Sequence, residues 1–357
     1  MRNLIVLLSI VGLAVPAAAQ RPAGYPRSYE SLMAAARAER IVRVYGNADA
    51  ATMAPLIAAF RRTFPSVQVQ YNDLGSTDLN RRFVSETRAR RPSADLVWSS
   101  AMDLQAKLIN DGYAQAYQSP EKPALPATAV WKNMGYGVTA EPVALVYNKR
   151  LIGQGQVPRT HEAFERLLRD RRKFLAGKIA TYDPARSDVG YQYLVEDYAI
   201  TRDTRSLLQA MAATRPLLSR TTKPMLDAVA QGRVAIAYNV VGPYAIRLAR
   251  SNGRVGVVFP RDYTIVASRV AFIAREARHP AAAKLFLDFL LSRTGQSLLA
   301  RQWLLPVRGD VGSPRLAPGK ARPIRVGPQL LVHLDTIKRR RFLADWNAIL
   351  SEGAKLK

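Results

Sequence analysis

Short apolar runs alternate with segments of helical period along most of the chain from Ile41 onward. The runs at 41–45, 67–71, 95–98, 143–147, 178–182, 234–238, 255–259 and 265–273 are rich in Val and Ile and predict strands. Between them, apolar residues recur every three or four positions. This predicts helices at 52–63, 77–90, 102–110, 161–171, 188–200, 223–231, 244–251, 280–291 and 294–301, with a last long helix at 328–350. Strand–helix alternation of this kind predicts an α/β fold with mostly parallel sheets. Two proline-rich stretches, 118–126 and 306–328, read as punctuation on a surface. The run Lys338-Arg339-Arg340-Arg341 reads as a solvated helix face.

The first twenty residues have a different pattern. Met1-Arg2-Asn3 places one charge ahead of an apolar run from Leu4 to Val15, which ends in Pro16-Ala17-Ala18-Ala19. A basic head, a short apolar stretch and an A-x-A end make a secretory signal, so residues 1–19 read as a signal peptide cleaved after Ala19. The run is too short to span a bilayer, and the expected location is the periplasm. At 357 residues the chain can form two lobes, each with its own core. It has no cysteine, which removes disulfides, thiolate metal sites and cysteine nucleophiles. With 53 basic and 27 acidic residues the net charge is +26, and 41 of the basic residues are arginine. Beyond the first twenty residues the arginines are spread from Arg21 to Arg341 and form no stripe with interleaved aromatics, so no dedicated nucleic-acid partner is expected.

The residues just beyond the strands carry the functional signal. Tyr45 leads into Gly46-Asn47, Tyr71 into a stretch ending Gly75-Ser76-Thr77, and Trp98 into Ser99-Ser100. Tyr147 leads into Asn148, Tyr182 into Asp183-Pro184, and Tyr238 into Asn239. In open α/β sheets, ligands bind beyond the carboxyl ends of strands, where helix N-termini offer free N–H groups and partial positive charge. Six aromatic strand ends, each leading into small polar residues, predict a polar binding cleft. Catalytic patterns are missing. His161, His279 and His333 are isolated, and there is no H-E-x-x-H, G-x-S-x-G, phosphate-binding loop or dinucleotide fingerprint. Neither an enzyme nor a cofactor is expected.

Several segments, in order over about 260 residues, resemble one family. They are Val42-Arg43-Val44-Tyr45-Gly46, Ala94-Asp95-Leu96-Val97-Trp98-Ser99-Ser100, and Glu141-Pro142-Val143-Ala144-Leu145-Val146-Tyr147-Asn148. Further along come Gly232-Arg233-Val234-Ala235-Ile236-Ala237-Tyr238-Asn239 with Gly242-Pro243-Tyr244, and His279-Pro280-Ala281-Ala282-Ala283-Lys284-Leu285-Phe286. The chain resembles an exported solute-binding protein of an ABC importer, from the two-lobed group that includes ferric-ion, phosphonate, thiamine and polyamine binders. The resemblance implies a type 2 periplasmic binding protein fold: two α/β lobes joined by crossing strands, with a ligand cleft between them. It places lobe one at 41–140 plus 268–305. Lobe two is 141–267 plus 306–357, with the C-terminal segment packed against it.

The resemblance also implies clamshell capture of one small solute by a monomer, and delivery to an inner-membrane permease or presentation to a sensor kinase. The candidate ligand-binding residues are Asn47, Ser76, Thr77, Ser99 and Ser100 from lobe one. From lobe two come Asp183, Ser187, Asn239 and Tyr244, with Arg186 or Arg269 as countercharge. Hydroxyls, amides and guanidinium suit a phosphate, phosphonate or carboxylate group. The alternative is a ferric ion held by Tyr238 and Tyr244; these are not the adjacent tyrosine pair common in ferric binders, and no histidine lies near Asn47. A phosphoester hydrolase acting in the same cleft is a further alternative.

Overall fold

The computed structural model describes residues 21–312 and 320–355; the signal-peptide reading falls on residues outside these. Its strands, in chain order, begin with β1 (Ile41–Gly46), β2 (Gln68–Asp73), β3 (Leu96–Ser99), β4 (Val130–Trp131) and β5 (Gly135–Gly137). They continue with β6 (Glu141–Asn148), β7 (Ile179–Tyr182), β8 (Leu217–Ser219), β9 (Ile236–Val241) and β10 (Val255–Val258). The last are β11 (Thr264–Ala267), β12 (Val270–Ile273) and β13 (Ala321–Pro323).

These strands form two sheets, one per lobe. The first has the order β2-β1-β3-β12-β5-β4, and the second β13-β11-β6-β9-β7-β8 with β10 paired to β6. Within the first, β1 runs parallel to β2 and β3; within the second, β7 runs parallel to β8 and β9. Both faces of each sheet are covered, and alternate side chains divide between them. On β3, Leu96 and Trp98 enter the core of lobe one, while Val97 faces the cluster that continues into lobe two. On β9, Ala237 and Val240 join that shared cluster and Tyr238 enters the core of lobe two. One hydrophobic cluster therefore runs through the junction of the lobes.

The chain crosses between sheets through residues 138–140 and returns through Ser268-Arg269. The apolar run at 265–273 predicts one strand, and the structure divides it into β11 and β12 at this return. At the division the ladder is replaced: Val138 N–H donates to the Arg269 carbonyl (2.8 Å), and Arg269 N–H donates to the Thr139 hydroxyl (2.8 Å).

Some elements escape the sequence pattern. The helix Tyr29–Glu39 buries Tyr29, Met33 and Ala36, and its last residue caps another element. The Glu39 carboxylate accepts the N–H groups of Ala281 and Ala282 at the start of the apolar helix Pro280–Leu291, satisfying donors a helix start leaves free. The helix Thr204–Ala212 and strands β4, β5, β8 and β13 are also absent from the prediction. The last predicted helix is divided: a 3₁₀ turn (Pro328–Leu334) precedes the helix Thr336–Lys355. Asp335 causes the break, because its carboxylate accepts from the N–H groups of Ile337 and Lys338 and caps a new helix. The C-terminal segment touches both lobes. Val326 N–H donates to the Thr128 carbonyl in lobe one (2.8 Å), whereas Trp346 and Ile349 pack in the core of lobe two. Among the described residues no helix is long and apolar enough to cross a membrane.

Candidate functional site

The carboxyl ends of the parallel strands in both sheets point at one cleft of about 290 Å³. Gly46 ends β1 and leads into Asn47; Ser99 ends β3 and leads into Ser100. On the other side Tyr182 ends β7, Ser219 ends β8 and Val241 ends β9. The ends of β3, β7, β8 and β9, and that of β2 at Asp73, each lead directly or after a short loop into a helix that starts at the cleft. The helices Ser76–Arg88, Met102–Asn110, Asp188–Ile200, Thr222–Ala230 and Gly242–Ser251 all line it with residues of their first turn or N-cap. Five helix N-termini aimed into one space give it a positive potential and a set of backbone donors.

Arg269 organises the junction. Its guanidinium is buried, as is the Glu141 carboxylate it pairs with (2% and 3% exposed); Nε donates to Oε1 at 2.8 Å. Nη1 donates to the Asn47 carbonyl (3.1 Å) and to Asn47 Oδ1 (2.7 Å), while Nη2 donates to the Tyr244 hydroxyl (3.0 Å). Burial opposes the charge on Arg269, yet Glu141 and Tyr244 raise its pKa above the ordinary arginine value, so it stays cationic. With every nitrogen engaged, Arg269 holds the site together instead of offering a free countercharge. Asn47 passes this order on to lobe one: its Nδ2 donates to the Ser76 hydroxyl (2.7 Å) and the Ser100 hydroxyl (2.6 Å), and its Oδ1 accepts from Ser100 N–H (3.2 Å).

Charge around the cleft is unbalanced. Of the acids lining it, Glu141 is matched by Arg269, Asp78 by Arg81 and Asp188 by Arg339. Arg186 and Arg220 also line it, are exposed, and have no ion-pair partner among the described residues. Tyr182 and Tyr193 form part of the wall, and burial pushes both phenols above their usual pKa. The Tyr182 hydroxyl shares a hydrogen bond with the Thr222 hydroxyl (2.5 Å).

Of the residues singled out from sequence, Asn47, Ser76, Thr77, Ser100, Arg186, Ser187, Tyr244 and Arg269 line this cleft. Four others lie elsewhere. Ser99 is buried behind the surface, its hydroxyl accepting from Ala101 N–H. Asp183 closes its own turn by accepting from Ala185 N–H. Tyr238 and Asn239 both donate to the Asp197 carboxylate (2.8 and 2.7 Å), joined there by Tyr263 (2.9 Å), in a fully buried cluster. The structure therefore does not bring Tyr238 to Tyr244 as a metal-binding pair. Alternation on β9 is the reason, since it turns Tyr238 into the core of lobe two.

Glu141, Tyr193, Arg220, Thr221, Thr222 and Ser268 also line the cleft and were missed. A signal existed for three of them. Arg220-Thr221-Thr222 comes after β8 as Ser76 and Thr77 come after β2, but three residues of β8 are too few to register as a strand.

A family profile described as bacterial extracellular solute-binding protein matches residues 42–303. A solved substrate-binding protein of an ABC transporter from Agrobacterium tumefaciens is 35% identical, with a TM-score of 0.80; the match covers 87% of this chain and 94% of that one. Iron-bound HitA from Pseudomonas aeruginosa is 19% identical, with a TM-score of 0.68 over 85% of this chain and 99% of its own. AfuA from Actinobacillus pleuropneumoniae, solved with fructose-6-phosphate, is 18% identical, with a TM-score of 0.66 over 87% and 98%. No curated protein is significantly similar to this chain.

Proposed function

The chain belongs to the bacterial extracellular solute-binding protein family, and from that premise we propose that its cleft captures a small anionic solute bearing a phosphate, phosphonate or carboxylate group. Proteins of this kind serve ABC importers by binding a solute and presenting it to a membrane permease. One observation carries the anion: five helix N-termini and two unmatched guanidinium groups, Arg186 and Arg220, share a space of about 290 Å³. Backbone N–H groups at helix starts and forked arginine donors both favour oxyanions. The organic part of the solute rests against Tyr182, Tyr193 and Tyr244, and the hydroxyls of Ser76, Ser100 and Thr222 complete its hydrogen bonds.

The lobes divide at the crossings, with 41–140 plus 268–305 on one side and 141–267 with the C-terminal segment on the other. Capture is by closure of these lobes in the periplasm, by a monomer, without chemical change of the solute. Solutes differ among proteins of this fold, from the iron of HitA to the fructose-6-phosphate of AfuA. Against a ferric ion stands the donor set. Two of the three phenols resist ionisation through burial, the third accepts a hydrogen bond from the Arg269 guanidinium, and that cation repels a trivalent one.

The test is a thermal-shift screen of inorganic phosphate, phosphonates, sugar phosphates, dicarboxylates and ferric citrate, with calorimetry on any hit. A specific anion at 100 times its Kd stabilises the protein by about 2.7 kcal/mol. The double variant R186Q/R220Q weakens that anion by about 100-fold with its unfolding midpoint unchanged. Stabilisation by ferric citrate alone overturns the reading.

A further inference from the structure

We propose that lobe one carries a second anion site, at the end of its sheet remote from the cleft, that takes a phosphate-bearing group. The helices Ser76–Arg88 and Met102–Asn110 start at the cleft and run away from it. Where they end, beside the start of β3 and the far end of β12, a second pocket of about 290 Å³ opens. Phe83, Ala94, Tyr113 and Ala274 make its apolar side, with Phe83 and Tyr113 edge to face at 5.9 Å. Arg90, Arg91, Arg275 and Arg278 make its polar side.

Helix C-termini attract cations, and that accounts for some of this charge but not all of it. Each helix end supplies roughly half a negative charge. Asp111 is taken by Lys107 (2.6 Å), which leaves Glu276 as the other lining acid. Against four guanidinium groups, roughly two positive charges remain. All four line one pocket of about 290 Å³, so they repel one another until an anion enters. None of the four has an ion-pair partner among the described residues.

Local geometry fixes the backbone at two of these arginines, Arg90 and Arg275. Arg90 adopts a left-handed backbone (φ 53°), a position where glycine is the default residue. Arg275 N–H donates to the Tyr113 carbonyl (2.7 Å), and its guanidinium lies over Gly112. Gly112 has φ 85°, a backbone that favours glycine, and the Arg275 guanidinium lies so close that a Cβ there would stand 2.9 Å from its Nη2 and displace it. Guanidinium forks match phosphate oxygens, and the aromatic side receives whatever the phosphate is attached to. A soluble phosphomonoester and an anionic phospholipid head group share this chemistry. The site is independent of the cleft and of the solute bound there.

The experiment uses the R186Q/R220Q protein, in which the cleft is weakened, with two probes: inorganic phosphate by calorimetry, and phosphatidylglycerol/phosphatidylcholine vesicles by sedimentation. Binding of either probe is expected, and adding R275Q/R278Q reduces it by about tenfold. Adding R61Q/R62Q, an equal loss of charge on the exposed face of the helix Ala50–Thr63, leaves it unchanged. Binding of phosphate identifies a soluble ligand, and binding of vesicles alone identifies a head group. No binding of either probe, or an equal loss from R61Q/R62Q, overturns the proposal. Should R275Q/R278Q fail to fold, the exposed single variant R91Q reads the same loss.

Discussion

Arg269 shows how burial changes a residue's role. From sequence it reads as a countercharge for a ligand, but its guanidinium is committed to Glu141, Asn47 and Tyr244. Breaking a buried pair by removing one charge leaves the other uncompensated. We expect Glu141→Gln to cost about 3–5 kcal/mol in urea unfolding, while an exposed neighbour such as Arg186→Gln costs almost nothing. Equal stability losses in the two variants would refute this division of labour. Glu196 gives a pH signature. Burial, and then the adjacent Asp197, push its pKa up to about 7 from a reference of 4.5. Between those values the native state holds a proton that the unfolded chain has released, so stability falls as pH rises from 4.5 to 7. Glu196→Gln removes that contribution, a difference of up to ~3 kcal/mol. The check is unfolding free energy at pH 5 and pH 7.5 for both proteins. A slope unchanged by the substitution rules the effect out.

At the scale of elements, most helices and the strands of four or more residues were legible because each repeats its own period, whereas the helices Tyr29–Glu39 and Thr204–Ala212 were not. Elements of two or three residues, such as β4, β5 and β8, hold little more than one repeat of the two-residue strand period, too few to stand out. Their cost was functional, since β8 delivers Arg220, Thr221 and Thr222 to the cleft. Close packing between elements is equally invisible from sequence. In the first turn of the helix Asp188–Ile200, a Cβ on Gly190 would come within 2.2 Å of Tyr182 Cβ at the end of β7. Gly190→Ala must push that helix start away from the strand, costing about 1–3 kcal/mol. Because Ser187 and Tyr182 both line the cleft, we expect solute affinity to fall together with the thermal midpoint. An alanine variant with unchanged affinity would mean that this turn does not shape the site.

For the molecule as a whole, two sheets meet at two short crossings, and the C-terminal segment bridges the lobes as well. Polar groups from both lobes face one space, so under the proposed capture by lobe closure a solute would gain its full set of contacts only in the closed form and shift the population toward it. Small-angle scattering should then record a smaller radius of gyration at saturating solute. The R186Q/R220Q protein should show no contraction at the same concentration. Contraction of both proteins to the same extent would separate closure from these two arginines. The +26 charge belongs to this scale too, drawing anions toward the protein before any specific contact forms.

The amino-acid order alone determined the α/β class, the alternation of strands and helices, and the polar residues beyond the strand ends, because each is set by near neighbours and by backbone geometry. It also pointed to eight of the residues that line the cleft, since strand ends and helix starts can be read locally. Tertiary structure decided the rest. Which face of β9 carries Tyr238, which arginines stay free, and whether Glu141 meets Arg269 across 128 positions depend on contacts between distant segments. No local pattern encodes such contacts, because the free energy of a buried charge is set by the partners that folding brings to it.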